Sequence, residues 1–218
     1  RQSGHVGGHG MTSGPVAGAD QVATTRTERG REERRTRVIE AAMRLALTGG
    51  YDAVQMRAVA ERADVAIGTI YRYFSGKDDL LIAGLVEWIA LVRRRLENET
   101  PPEGPPVERL SWVLARTAQS TDSAPVLMGA LITAMATTDP AAAEYKLAVE
   151  REVRGLVVWA IGDRPDVEGV ARVLGHVWYS AIIRWVGGLA PDGSVSEELE
   201  AAARLLLASP EDASVDLR

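Results

Sequence analysis

The stretch VQMRAVAERADVAIGTIYRYF, residues 54–74, decides the fold. It reads as two short helices, about 56–63 and 67–73, around a tight turn at Asp64. Val59, Val65 and Ile70 recur at spacings that turn them toward one small core. Ala60 and Ala63 are small where the two helices must cross closely. The turn calls for a residue that tolerates positive φ, and Asp does so better than most non-glycines. Such a unit is a helix-turn-helix, which offers its second helix to the DNA major groove. The second helix has suitable chemistry. Gly68 lets the backbone approach base edges, and Thr69 can donate, accept, or pack its methyl against a thymine methyl. Tyr71, Arg72 and Tyr73 bring phenol and guanidinium groups to phosphates, with base contact open to Tyr71 and Arg72. Lys77 falls in the first turn of the next helix, where its charge and free amides suit one phosphate. Phe74, the one Phe of the chain, is expected in the core.

Upstream, Val38, Ile39, Ala42, Leu45 and Ala46 fall on one face of a helix over about 31–48, which Gly49-Gly50 ends. Ahead of it Arg26, Arg29, Arg31, Arg34, Arg35 and Arg37 alternate with Glu28, Glu32 and Glu33. This is either an arm reaching phosphates and the minor groove or a solvated helix start laced with Glu–Arg pairs. Arg34 and Arg35 adjoin the motif's framework and are assigned to DNA. Residues 1–25 are rich in Gly, Ser, Thr and Ala and are expected to be disordered, with RQSGHVGGHG reading as an appended leader before Met11.

Charge divides the chain. Residues 26–77 hold eleven Lys and Arg against seven Asp and Glu, a net of +4 that leaves −9 for the rest of a chain whose total is −5. A basic head on an acidic body suits a polyanion at one end and another task at the other. The expected domains are a disordered segment 1–25, a DNA-binding head 26–76, a helical body 77–210 and a tail 211–218. Ser75 with Asp78 marks the cap of a long helix over about 77–98, and Pro101-Pro102-Glu103-Gly104-Pro105-Pro106 reads as the linker from head to body. Further helices are expected over 107–120, 124–137, 140–162, 166–189 and 194–208, with no strand signal anywhere. The fold class is all-α.

The segment 124–135 is apolar on nearly every face, so it is buried. Its Leu127, Met128, Leu131 and Met135, with Trp112, Trp159, Trp178 and Ile182 from other helices, are the candidate walls of a small-molecule cavity. The alternative is plain core. In the helix 166–189 a polar stripe runs Arg172, His176, Ser180, Arg184. Its apolar flank, with Leu199, Ala202, Ala203, Leu206 and Leu207 of the last helix, is expected to form a two-fold dimer interface. Arg184 would pair across that interface or receive an acidic ligand, and His176 would be a hydrogen-bonded core or interface residue.

Enzyme chemistry has little material here. There is no Cys; His5 and His9 lie in the leader, leaving His176, and no carboxylate pair sits in an apolar segment. No cofactor or metal is expected. No apolar run approaches the roughly 20 residues of a membrane span, and a cytoplasmic location without membrane partners is expected.

The run from Gly49-Gly50-Tyr51 to Tyr71-Arg72-Tyr73-Phe74-Ser75-Gly76-Lys77-Asp78-Asp79-Leu80-Leu81 resembles the N-terminal domain of the tetracycline-repressor family over about residues 35–85. The resemblance implies a homodimeric repressor on a palindromic double-stranded operator, released by a hydrophobic or amphipathic small molecule bound in the body. By position it implies DNA contact for Arg57, Thr69, Tyr71, Tyr73 and Lys77, with Arg72 in a more variable slot. Two departures stand out. Asp64 replaces the usual turn glycine, and Ala66 replaces a Ser or Thr cap worth about 1 kcal/mol. Residues 54–60 and the pattern Pro125-x-Leu127-x-x-Ala130-Leu131 look similar to actinobacterial repressors of sterol breakdown, which implies a bulky lipid or acyl-CoA effector. The other reading keeps the DNA head and gives the body a protein partner instead.

Overall fold

Nine helices and no strand make up the described residues of a computed structural model, which covers 17–208, with side chains from Glu28 onward. They are α1 (Ala17–Ala53), α2 (Met56–Ala63), α3 (Ile67–Ile70), α4 (Lys77–Glu97), α5 (Pro106–Asp122), α6 (Pro125–Met135), α7 (Ala143–Ile161), α8 (Val167–Val186) and α9 (Ser194–Leu207). A single 3-10 turn, Pro140–Ala142, precedes α7. The expected leader and the whole of the expected tail lie outside the described residues.

α1 begins earlier than the hydrophobic period announces, so residues 17–25, read as irregular, are helical. Its other end breaks where expected. Gly50 turns to φ 69°, a left-handed conformation that glycine reaches without a Cβ clash. Val38, Val54, Val59 and Ile70 are fully buried and Phe74 nearly so; each contributes about 1.5–3 kcal/mol by leaving water. These residues close the head's core over α1, α2 and α3.

The proline-rich segment does not separate head from body. α1 packs along α6 as well as on α2 and α4, and α4 packs on α6 and α7. Residues 98–105 are the connection from α4 to α5, which opens with Pro106 at its first position, where the missing N–H costs nothing. The cap of α4 also differs from the Ser75–Asp78 pairing. Asp79, buried, accepts from the backbone N–H groups of Ser75 at 2.7 Å and Gly76 at 2.8 Å. Asp79 thus places its charge at the positive end of the helix, which frees Asp78 for another partner.

In the body α5 lies on α7 and α9, and α8 contacts α6, α7 and α9. α6 is enclosed by α1, α4 and α8. Among the described residues, no single helix is long and apolar enough to cross a membrane.

Candidate nucleic-acid interface and ligand cavity

The turn of the helix-turn-helix is closed by backbone geometry. Asp64 adopts φ 53°, ψ 54°, and Val65 N–H donates back to the Ala60 carbonyl at 3.1 Å. This left-handed closure satisfies carbonyls at the end of α2. Arg37 Nε donates to the Ala63 carbonyl at 3.4 Å from α1 and adds to the same cap. Ala66 caps α3 without a side-chain bond, as its identity requires; its carbonyl accepts from Thr69 N–H at 2.8 Å. α3 is one α-helical turn, and the chain continues as turns through Tyr73, with Tyr73 and Phe74 N–H both donating to the Ile70 carbonyl.

That short helix sorts its side chains. Ile70 points into the core while Arg57, Gly68, Tyr71 and Arg72 are exposed and Thr69 is half-buried. A Cβ at Gly68 would meet nothing within 4 Å, so the surface there is open to a groove. Ile67, 41% exposed beside Gly68 and not singled out by the sequence, offers a methyl-rich contact at the same face. Tyr73 is half-buried: its hydroxyl donates to the Arg31 carbonyl at 3.3 Å under the Arg31 guanidinium, 5.5 Å from the ring centre. Lys77 Nζ stands 3.7 Å from the centre of the Tyr51 ring, and the Tyr51 hydroxyl donates to Asp78 at 2.5 Å. Burial and then the Asp78 carboxylate push the Tyr51 phenol up to about 12.

Arg35 does not join this set. It reaches inward to Glu87 of α4 at 2.7 Å, with its guanidinium 5.7 Å from the centre of the Phe74 ring. Burial opposes its charge, but Glu87 and Tyr145 of α7 outweigh that and raise it above the ordinary guanidinium range. Burial also pushes the Glu87 carboxyl up, against the pull of Arg35.

The body encloses a cavity of about 590 Å³ among α4, α5, α7 and α8, within the range of small-molecule sites. Trp88, Val113, Val153 and Leu174 are among its apolar walls. Of the eight candidates, Met135 and Trp178 line it. Leu127, Met128 and Leu131 are instead buried as core, because α6 is covered by α1, α4 and α8 and fills space, and Ile182 of α8 is buried as well. Trp112 and Trp159 pack on each other, 6.2 Å between ring centres, with Arg116 over Trp112. At the mouth stand Arg151, Arg154, Arg172, Glu150, Glu168 and His176. His176 is exposed there, so it is no core residue. Arg154 pairs with Glu168.

The polar stripe of α8, Arg172, His176, Ser180 and Arg184, is exposed in the chain, against the expectation of core or interface for His176. Arg184 is half-exposed and pairs within the chain with Glu198 of α9 at 3.6 Å. Leu199 and Ala203 are buried within the chain against α5 and α8; the apolar side chains left outside are Val173, Ile183 and Val186 on α8 and Leu205, 81% exposed, on α9.

Comparison with known proteins agrees with this architecture. Residues 38–83 match the profile "Bacterial regulatory proteins, tetR family", and residues 104–206 match "Tetracyclin repressor-like, C-terminal domain". The chain is 36% identical over 198 residues to the HTH-type transcriptional repressor KstR of Rhodococcus jostii, covering 89% of this chain and 92% of that one. A TetR transcriptional regulator from Rhodococcus sp. RHA1 superimposes with a TM-score of 0.76 at 28% identity, over 83% of this chain and 99% of that one. The Thermus thermophilus FadR repressor, solved with lauroyl-CoA, gives a TM-score of 0.60 at 26% identity, over 79% and 93%. With its helix-turn-helix exposed at one end and a helical body behind it, the chain belongs to the TetR family of transcriptional repressors.

Proposed function

We propose that the protein is a cytoplasmic homodimer that represses by binding a palindromic operator and is released when an amphipathic, acyl-CoA-like effector enters the body. The cavity carries this reading. It is apolar within and charged at its mouth, where Arg151 and Arg172 make no ion pair within 4 Å among the described residues. An apolar chain or ring system suits the walls and an anionic group the rim. FadR of T. thermophilus was solved with lauroyl-CoA, and the resemblance of residues 54–60 and 125–131 to repressors of sterol breakdown favours a bulky effector. A body serving only a protein partner would have no need of the hollow.

On DNA, Arg57, Gly68, Thr69, Tyr71 and Arg72 form the reading surface, with Tyr73 and Lys77 on phosphates. Two heads related by two-fold symmetry would meet half-sites about 34–36 Å apart. The exposed apolar strip of α8 and α9 supplies a self-complementary interface for that symmetry. Nothing in the chain's chemistry calls for an enzymatic role.

A gel shift with the DNA upstream of its own and neighbouring divergent genes, titrated with lauroyl-CoA and with a steroid-derived CoA thioester, tests the whole reading. Release by a thioester, with no response to free CoA, is the expected result. Failure to bind any of these fragments overturns the repressor reading; binding that no thioester releases overturns the effector class.

A further inference from the structure

Arg35 of α1 joins the helix-turn-helix to α4 and lines a small cleft of the body. Its guanidinium bonds Glu87 on α4 at 2.7 Å and covers the Phe74 ring, the last residue of the helix-turn-helix. Phe74 in turn lies 6.0 Å from the Tyr145 ring on α7. A cleft of about 230 Å³ opens beside this group, lined by Arg35, Val86, Tyr145, Ala148 and Arg151. Arg151 also lines the large cavity, so α7 is a wall shared by both spaces. α4 makes a second connection, because Trp88, next to the Glu87 that holds Arg35, lines the large cavity as well. Two helices therefore touch the cavity on one side and the same arginine on the other.

We propose that Arg35 is the positioning residue through which filling of the cavity resets the DNA-reading head. The inference rests on the effector reading above. A partly buried ion pair is a poor source of stability, since desolvation offsets much of its attraction, and its best-attested use is to select one arrangement over another. The Arg35–Glu87 pair has this character, with a cleft beside it into which α7 can shift. An occupant that moves α4 or α7 changes the distance from Glu87 and Tyr145 to Arg35. Because Arg35 covers Phe74, the change reaches the end of the helix-turn-helix. The coupling needs an occupant that favours one arrangement over the other.

The test needs no DNA and no natural effector. Gly175 lines the cavity, and a Cβ there would meet nothing within 4 Å, so Gly175→Trp places a covalent occupant inside. The dye 8-anilinonaphthalene-1-sulfonate, apolar with one anionic group, is a second occupant for the wild-type chain. Hydrogen exchange of the full chain is followed over residues 28–40 and 54–74, with and without each occupant. An exchange change of about fivefold or more is expected at the head, the low end of ordinary coupling. In Arg35→Met and Glu87→Gln proteins the same occupants should leave the head unchanged. Melting curves check that both variants fold, and the one that melts as wild type carries the comparison. Head exchange that ignores both occupants overturns the proposal. So does a head response of equal size with and without the bridge, which would leave the effector reading intact and assign the coupling to other contacts.

Discussion

The head is packed full and the body is left hollow. Around α2 and α3 the central apolar side chains Val59, Ile70 and Phe74 are essentially without solvent contact, with Met56 and Val65 packed against them. Between α4, α5, α7 and α8 a similar set of residues surrounds about 590 Å³ of empty space. The two regions use apolar residues for opposite ends. A surface that reads base edges must hold its groups in fixed relative positions, which a close-packed core provides. A site that responds to a ligand must have a second state within reach, and low packing density supplies one. The contrast can be attacked from both sides.

The largest effect is expected in the head. Phe74→Ala removes a side chain enclosed by Tyr73, Tyr145 and Arg35 and should cost about 3–5 kcal/mol, lowering the melting temperature by roughly 10 °C. Leu147→Ala, at the half-exposed edge of the cavity, should cost under about 1 kcal/mol. Equal losses in the two calorimetric scans would erase the distinction between the regions.

Next in size is an effect on DNA alone. Arg57→Ala or Arg72→Ala, both exposed, should weaken operator binding by about 1–3 kcal/mol while leaving the melting temperature nearly fixed. Lys77→Ala should weaken binding to all sequences alike and reduce the salt slope by about one. Fluorescence anisotropy at several salt concentrations separates the two; a drop in melting temperature would show that these side chains hold the fold as well. In the body Gly175→Leu should act in the opposite direction, raising stability by about 0.5–2 kcal/mol by filling space. A destabilised Gly175→Leu protein would mean that α8 already packs tightly there.

The same contrast explains what the sequence could reveal. The break at Gly50 and the turn at Asp64 depend on local backbone chemistry, so both were legible, and so was the uncapped start of α3 at Ala66. The exposed set around Gly68 followed from helical spacing within about twenty residues. Arg35 was misplaced because its partner, Glu87, is 52 residues away and no period links them. Leu127, Met128 and Leu131 were rightly read as buried, but an all-apolar helix says only that it is covered, not whether neighbours or empty space cover it. The cavity walls depend on how α4, α5, α7 and α8 dock, and Trp88 and Arg151 carried no local mark of that role. Tyr51 passed unremarked as a functional residue, since its value lies in Lys77 and Asp78 arriving from another helix.

The smallest effect concerns that tyrosine, at the seam where α1 meets the start of α4. Its phenol is raised from 10.0 to about 12, by burial first and by the bond to Asp78 second. The folded chain therefore holds this proton more tightly than the unfolded chain does. The stabilisation is complete below about pH 10 and is lost as the pH climbs toward about 12. Tyr51→Phe keeps the ring beneath Lys77 and removes only the hydroxyl and its bond. The variant should melt slightly below wild type at pH 8, by no more than a few degrees for one hydrogen bond at a half-exposed site. The gap should close as the pH rises through 10 and beyond. A gap that stays constant across that range would mean that the hydroxyl contributes by packing and that the Asp78 bond does not form in solution. A gap that widens would reverse the sign of the shift, with the folded protein favouring the phenolate, as the neighbouring Lys77 ammonium would if it outweighed Asp78.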